Sequence, residues 1–340
     1  TSDRIVPGRR LAAEALELTA SNTTLSVRGP MRLDGVPMEV SFAQGFGPEA
    51  GPAQIRGALD VTPERLADLG ISLPPGSLTG QGRATFELSP RAGEPTRFVT
   101  DLSLAGIGLS IPALEWEKPA DAAGTLRLEG RTTEPVSLDR VALAAPELAL
   151  DGRVALAADG SAITSAAFER FALGGWLDAP LIWSRTAEGD EIEISGGRID
   201  LRKRPGGAPS ETPVRIRFAP EEVIVADSIR LTDVAGQIDS AAAPMGRFKG
   251  QVNGRAAING VLRKGGEAFL SSEDGGAVLA AAGIFRNAVG GTLRLSLKPG
   301  VEGSGVNGIF SLQDTRVRTA PALAELLLLA TILALPDRLM

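Results

Sequence analysis

The 340-residue chain has no cysteine, no histidine and no tyrosine, and carries only 11 phenylalanines and 3 tryptophans. Without Cys or His there is no Ser-His or Cys-His nucleophile pair, no thiol redox centre, no disulfide and no structural zinc site. Few rings and a net charge of −6 leave little with which to stack bases or hold phosphates, so no nucleic-acid partner is expected. Gly (41) and Pro (23) are abundant instead, beside 43% hydrophobic residues. That is the composition of a turn-rich folded chain, not of a disordered one.

The motif search is equally sparse. Gly303 to Gly308 fits G-x-G-x-x-G but leads into the alternating segment Ile309 to Val317 instead of a helix, so a hairpin turn is expected there. No Gly-Lys pair exists for a phosphate loop, and no Ser-x-x-Lys dyad or calcium-loop spacing of acids occurs. The pairs Glu115/Glu117 and Glu191/Glu193 each share a strand face, and are read as solvated unless two acids converge about 5–9 Å apart in a cleft. No catalytic residue, metal ligand or cofactor is therefore assigned. Trp116 and Trp183 are read as packing residues in the core or at a groove edge, with a lipid–water boundary as the alternative.

Period-two alternation dominates what is present. Leu126/Leu128 alternate with Arg127/Glu129, Ile192/Ile194 with Glu191/Glu193, Val214/Ile216/Phe218 with Arg215/Arg217, and Leu293/Leu295/Leu297 with Arg294/Ser296/Lys298. Each run has one apolar and one polar face, as half-buried antiparallel strands do. Seven Asn-Gly or Asp-Gly pairs, at 34, 151, 159, 253, 259, 274 and 307, punctuate the chain, and most fall between apolar alternations where a tight hairpin is expected. An apolar-x-apolar-x-Gly unit recurs at irregular spacing, which excludes a fixed-period solenoid and suggests a long meander. Short helices are expected over 62–70, started by Thr62-Pro63 and ended by Gly70, and over 272–283.

Roughly twenty strands either pair into sandwiches or form one long sheet curled around its apolar face. Such a face, mostly Leu, Val, Ile and Ala without polar anchors, suits acyl chains better than sugars, nucleotides or metals. The longest apolar run, Ala320 to Leu335, carries Glu325 and is too short for a bilayer span, so it is expected as a buried or interfacial helix. Neither a signal peptide nor an anchor is visible, and the chain is expected to be an excerpt of a longer protein. Between Arg198 and Lys264 lie 12 basic and 7 acidic residues, a local excess read as solvated strand faces, or as a weak preference for anionic headgroups.

Several stretches together resemble the AsmA-like superfamily of Gram-negative envelope proteins, nearest to its YhdP-type branch. They are Asp101–Pro119 (DLSLAGIGLSIPALEWEKP), Ile194–Arg202 (ISGGRIDLR), Ser272–Gly283 (SEDGGAVLAAAG), the Gly-Gly strand from Gly290, and Val317–Leu327 with its Ala-Pro-x-Leu helix start. The resemblance implies a mainly β fold, a long antiparallel curled sheet (repeating β-groove) with two or three short helices. It divides as groove segments 1–120 and 121–320 and an apolar helix 321–340. It further implies non-enzymatic phospholipid transport between inner and outer membranes, in a periplasmic chain whose inner-membrane anchor lies outside this sequence. Phospholipid acyl chains, both membrane surfaces and other envelope proteins are the partners so implied.

On this reading Leu126, Leu128, Ile192, Ile194, Ile199, Leu201, Val214, Ile216, Phe218, Leu293, Leu295 and Leu297 line the groove. Leu323, Leu326, Leu327 and Leu329 close its end or meet a membrane. The alternative is a structural β-sandwich scaffold or surface passenger with a filled core and no ligand.

Overall fold

The computed structural model describes residues 9–47, 50–91, 93–205, 213–240, 244–299 and 306–317. The expected apolar helix, with Leu323, Leu326, Leu327 and Leu329, lies outside them. The fold is mainly β, with a large curled antiparallel sheet and two short α-helices among the described residues. The chain divides into two compact units, residues 1–168 and 169–340.

In the first unit, β1 (Leu11–Ala13) and β2 (Glu17–Ala20) both pair with β3 (Thr24–Leu33), followed by β4 (Val36–Gly45) and β5 (Gln54–Val61). Helix α1 (Pro63–Asp68) comes next, capped by the Thr62 hydroxyl, which accepts from the Arg65 N–H, and started by Pro63. After β6 (Leu78–Gly80), the meander resumes with β7 (Gly82–Arg91) and β8 (Glu94–Ser103). β9 (Ile107–Ile111) and β10 (Trp116–Lys118) turn aside to make a small sheet with β6. Then β11 (Thr125–Arg131) returns to β8 and continues through β12 (Ser137–Ala145) and β13 (Leu148–Leu156). The boundary between the units falls within β14 (Ile163–Leu173).

In the second unit, β15 (Leu177–Thr186) pairs with both β16 (Gly189–Ser195) and β17 (Arg198–Asp200), two halves of one run bent at Gly196-Gly197. β18 (Val214–Ala219) and β19 (Glu222–Ala226) both pair with β20 (Ile229–Ser240). Antiparallel pairing continues through β21 (Pro244–Val252), β22 (Ala256–Arg263) and β23 (Glu267–Ser272). Helix α2 (Gly275–Ala281) and β24 (Ala288–Val289) precede β25 (Thr292–Pro299), β26 (Val306–Gln313) and β27 (Arg316–Val317). One junction departs from the meander: β16 runs parallel to β18, and β17 to β19. The connecting residues 201–213 have the length a parallel crossover needs, and alternation alone carries no strand direction.

Of the seven Asn-Gly and Asp-Gly pairs, most of them expected as hairpins, three are hairpin turns. Asp34-Gly35 and Asn253-Gly254 have positive φ at both residues, and Asp159-Gly160 links β13 to β14. The other four are not: one starts the helix expected over 272–283, and three expected turns are corrected to strand positions. Asp274 caps α2, its carboxylate accepting from the Ala277 N–H, while Gly152, Gly260 and Gly308 lie inside strands. The expected hairpin at Gly303–Gly308 shifts likewise, because Asn307 and Gly308 pair with Lys298 and Leu297; residues 303–305 lie outside the described set. In-strand glycines serve close approach instead of turning: a Cβ on Gly260 would stand 2.2 Å from the Phe248 ring.

Candidate functional site

The ladders of the second unit align the apolar positions into continuous rows, since directly paired residues point to the same face. One row runs Trp183, Ile192, Ile216, Ile238, Gly246, Leu262, Ala268, Leu297, Gly308 from β15 to β26. The next runs Leu181, Ile194, Phe218, Gly236, Phe248, Gly260, Leu270, Leu295, Phe310. Of the residues singled out from the sequence, Ile192, Ile194, Val214, Ile216, Phe218, Leu293, Leu295 and Leu297 all fall on this face. Most of them are half-buried.

Helix α2 and the turn after it close one end of this face. Val252, Ala256, Ile258 and Ala282 form one buried cluster there, and Leu279, Phe285, Ala288 and Leu293 a second. Gly276 lets the helix sit down on β24, for a Cβ there would stand 2.5 Å from the Val289 nitrogen. Ile199 and Leu201 pack against the first cluster. They belong to the closed end, whereas Ile192, Ile216 and Leu297 lie on the half-buried remainder.

The first unit repeats the design by other means. Leu102, Leu126, Leu143 and Leu150 are in register on one face, with Thr100, Leu128, Val141 and Gly152 beside them. Leu126 and Leu128 are half-buried. One end of this face is closed by the β9–β10 excursion, where Leu104, Ile107, Trp116 and Leu148 are buried. The Trp116 indole N–H donates to the Pro146 carbonyl at 2.9 Å, which places this ring in the core. Beside it, Lys118 is only 1% exposed, and its ammonium donates to the carbonyls of Leu104 and Ile107 at 2.8 Å and of Pro119 at 3.0 Å. All three donors are satisfied without a carboxylate. Sequence reading did not foresee this buried lysine.

Trp183 is less enclosed than Trp116. It is half-buried at the rim of the apolar rows, with the Arg185 guanidinium 5.3 Å from its ring centroid.

The opposite face of the first unit is a lattice of cross-strand ion pairs: Arg28–Glu17, Arg56–Glu87, Arg83–Asp60 and Arg127–Asp101. Its open depression of about 1170 Å³ is lined by Arg28, Arg56, Arg127 and their carboxylate partners. Those three arginines and their partners engage one another.

The acids singled out from the sequence differ in setting. Glu191 accepts from Arg215 at 2.9 Å, and Glu115 takes a positive φ that interrupts the strand alternation before Glu117. Among the described residues no cluster of metal-ligating side chains occurs, and no helix is long and apolar enough to cross a membrane. In comparisons with known proteins, no family model matches the chain, and no curated protein or solved structure is significantly similar to it.

Proposed function

We propose that the apolar face holds phospholipid acyl chains, and that the chain is a segment of a non-enzymatic periplasmic conduit carrying phospholipid between inner and outer membranes. The observation that carries this reading is the continuity of the two apolar rows from β15 to β26, half-buried along most of their length and closed by a helix at one end. Acyl chains need an aliphatic surface without fixed polar partners, and headgroups can stay in water at a rim such as Trp183–Arg185. The resemblance to the AsmA-like superfamily supports the same reading, and with it an anchor in the inner membrane and contact with other envelope proteins. Movement along such a face requires no catalysis.

The test is lipid extraction and mass spectrometry of the purified protein. Phospholipid co-purifies with the parent chain, is lost from Ile192→Glu and Leu295→Glu, and is retained by Ile182→Glu, whose side chain lies on the opposite face beside Glu193. A lipid-free parent, or equal lipid in folded Ile192→Glu, overturns the reading.

A further inference from the structure

On the outward face of the second unit Arg215 and Lys298 are ion-paired, but between them, on β21 and β25, stand cations that are not. Arg247 and Lys249 project from β21 on the side opposite the apolar rows, about 7 Å apart along the strand. Arg294 shares the ladder row of Lys249, through Asn259 and Ser271, three strand spacings or about 14 Å away. All three are exposed, and none makes an ion pair or side-chain hydrogen bond among the described residues. Arg263 on the same face lies over the Phe269 ring at 4.5 Å. Among the described residues from β21 to β26 the acid on this face is Glu267, already bonded to Lys298 at 2.7 Å.

Between these cations stand apolar side chains in the open. Met245 is 43% exposed, Val261 40% and Ile309 73%. Val261 is in direct register with Arg247, and Ile309 pairs with Ser296 two residues from Arg294.

We propose that this face docks the second unit on an anionic lipid bilayer. Unpaired cations spread over ~14 Å exceed what one phosphate can engage, but match a surface of many anionic headgroups. Met245, Val261 and Ile309 gain nothing from a free phosphate, yet lose water when pressed into the headgroup boundary. The inference uses the face opposite the apolar rows and stands independently of acyl-chain binding there.

The test is co-sedimentation of the full chain with vesicles of phosphatidylcholine alone, or with about a third phosphatidylglycerol. The parent binds the anionic vesicles, binds the neutral ones weakly, and is released by salt. Changing Arg247, Lys249 and Arg294 together to Ser lowers partitioning roughly fivefold per cation, about a hundredfold in all. Ile309→Ser weakens it further, while Arg56→Ser with Arg83→Ser in the first unit leaves it unchanged. Ile192→Glu still binds vesicles, which separates this result from the lipid-extraction test. Equal binding to neutral vesicles, unchanged binding by the triple variant, or preference for a single-stranded oligonucleotide overturns the proposal.

Discussion

The Phe248 ring lies across Gly260 on the neighbouring strand, its direct register partner, at a separation that leaves no room for a Cβ. Phe86 covers Gly57 in the same way. Each ring lies flat on the sheet instead of standing up from it, so the apolar face gains aromatic area without being filled. Gly260→Ala and Gly57→Ala should each destabilise by about 1–3 kcal/mol through overpacking, seen as a lower unfolding midpoint. Gly51→Ala, with open space around it, should leave the midpoint in place. Equal midpoints for all three would remove the ring-over-glycine account.

Lys118 is the second point of leverage. Lys118→Met keeps most of the volume but strands three carbonyls, and should cost about 3 kcal/mol or more. Lys118→Arg should also destabilise, because a planar guanidinium cannot direct three donors around a point as an ammonium does. Urea unfolding checks both; an unmoved midpoint in Lys118→Met would show that the buried ammonium is dispensable.

Acid stability should carry the mark of Asp200. Two hydrogen bonds from the Arg202 side chain, at 2.8 and 2.7 Å, hold its carboxyl at about 2, against the upward pull of burial. The folded value is depressed, so the stabilisation is complete above the ordinary carboxylate range and is lost as pH falls through about 2. Asp200→Asn should flatten the stability profile between about pH 4 and 2. A variant with the parent's slope in that window would contradict the assignment.

Asn253 ties the closing helix to the sheet. It sits at positive φ in the β21–β22 turn, accepts from the Arg230 N–H at 2.8 Å, and donates to the Ser228 and Ala281 carbonyls. Asn253→Gly keeps the backbone conformation and removes those bonds. It should speed hydrogen exchange in α2 more than in β21, and a uniform change would argue against a local tether.

Much of this architecture was legible in the chain. Val214, Ile216 and Phe218 alternate with arginines because one face meets apolar neighbours and the other meets water. Thr62-Pro63 and Asp274 announce the two helices because their side chains meet free N–H groups. The parallel junction was not legible, since alternation encodes face and not direction. Asp151-Gly152 and Asn259-Gly260 misled because a glycine needed for close approach looks the same as one needed for a turn. Lys118 was invisible for a similar reason: its burial depends on carbonyls brought together by tertiary structure, 11 and 14 residues away. Which apolar residues lie under α2 and which stay half-buried, such as Leu293 against Leu297, likewise follows from where the helix lands.

The sealed ammonium has a practical consequence. The chain has five lysines, and Lys203, Lys249, Lys264 and Lys298 are exposed while Lys118 is not. An amine-reactive reagent applied to the folded protein modifies those four and spares the fifth. Labelling at Lys118 therefore becomes an internal clock for opening of the β9–β10 closure, read peptide by peptide against four reference amines. With no cysteine and no histidine in the chain, no thiol or imidazole competes for the reagent.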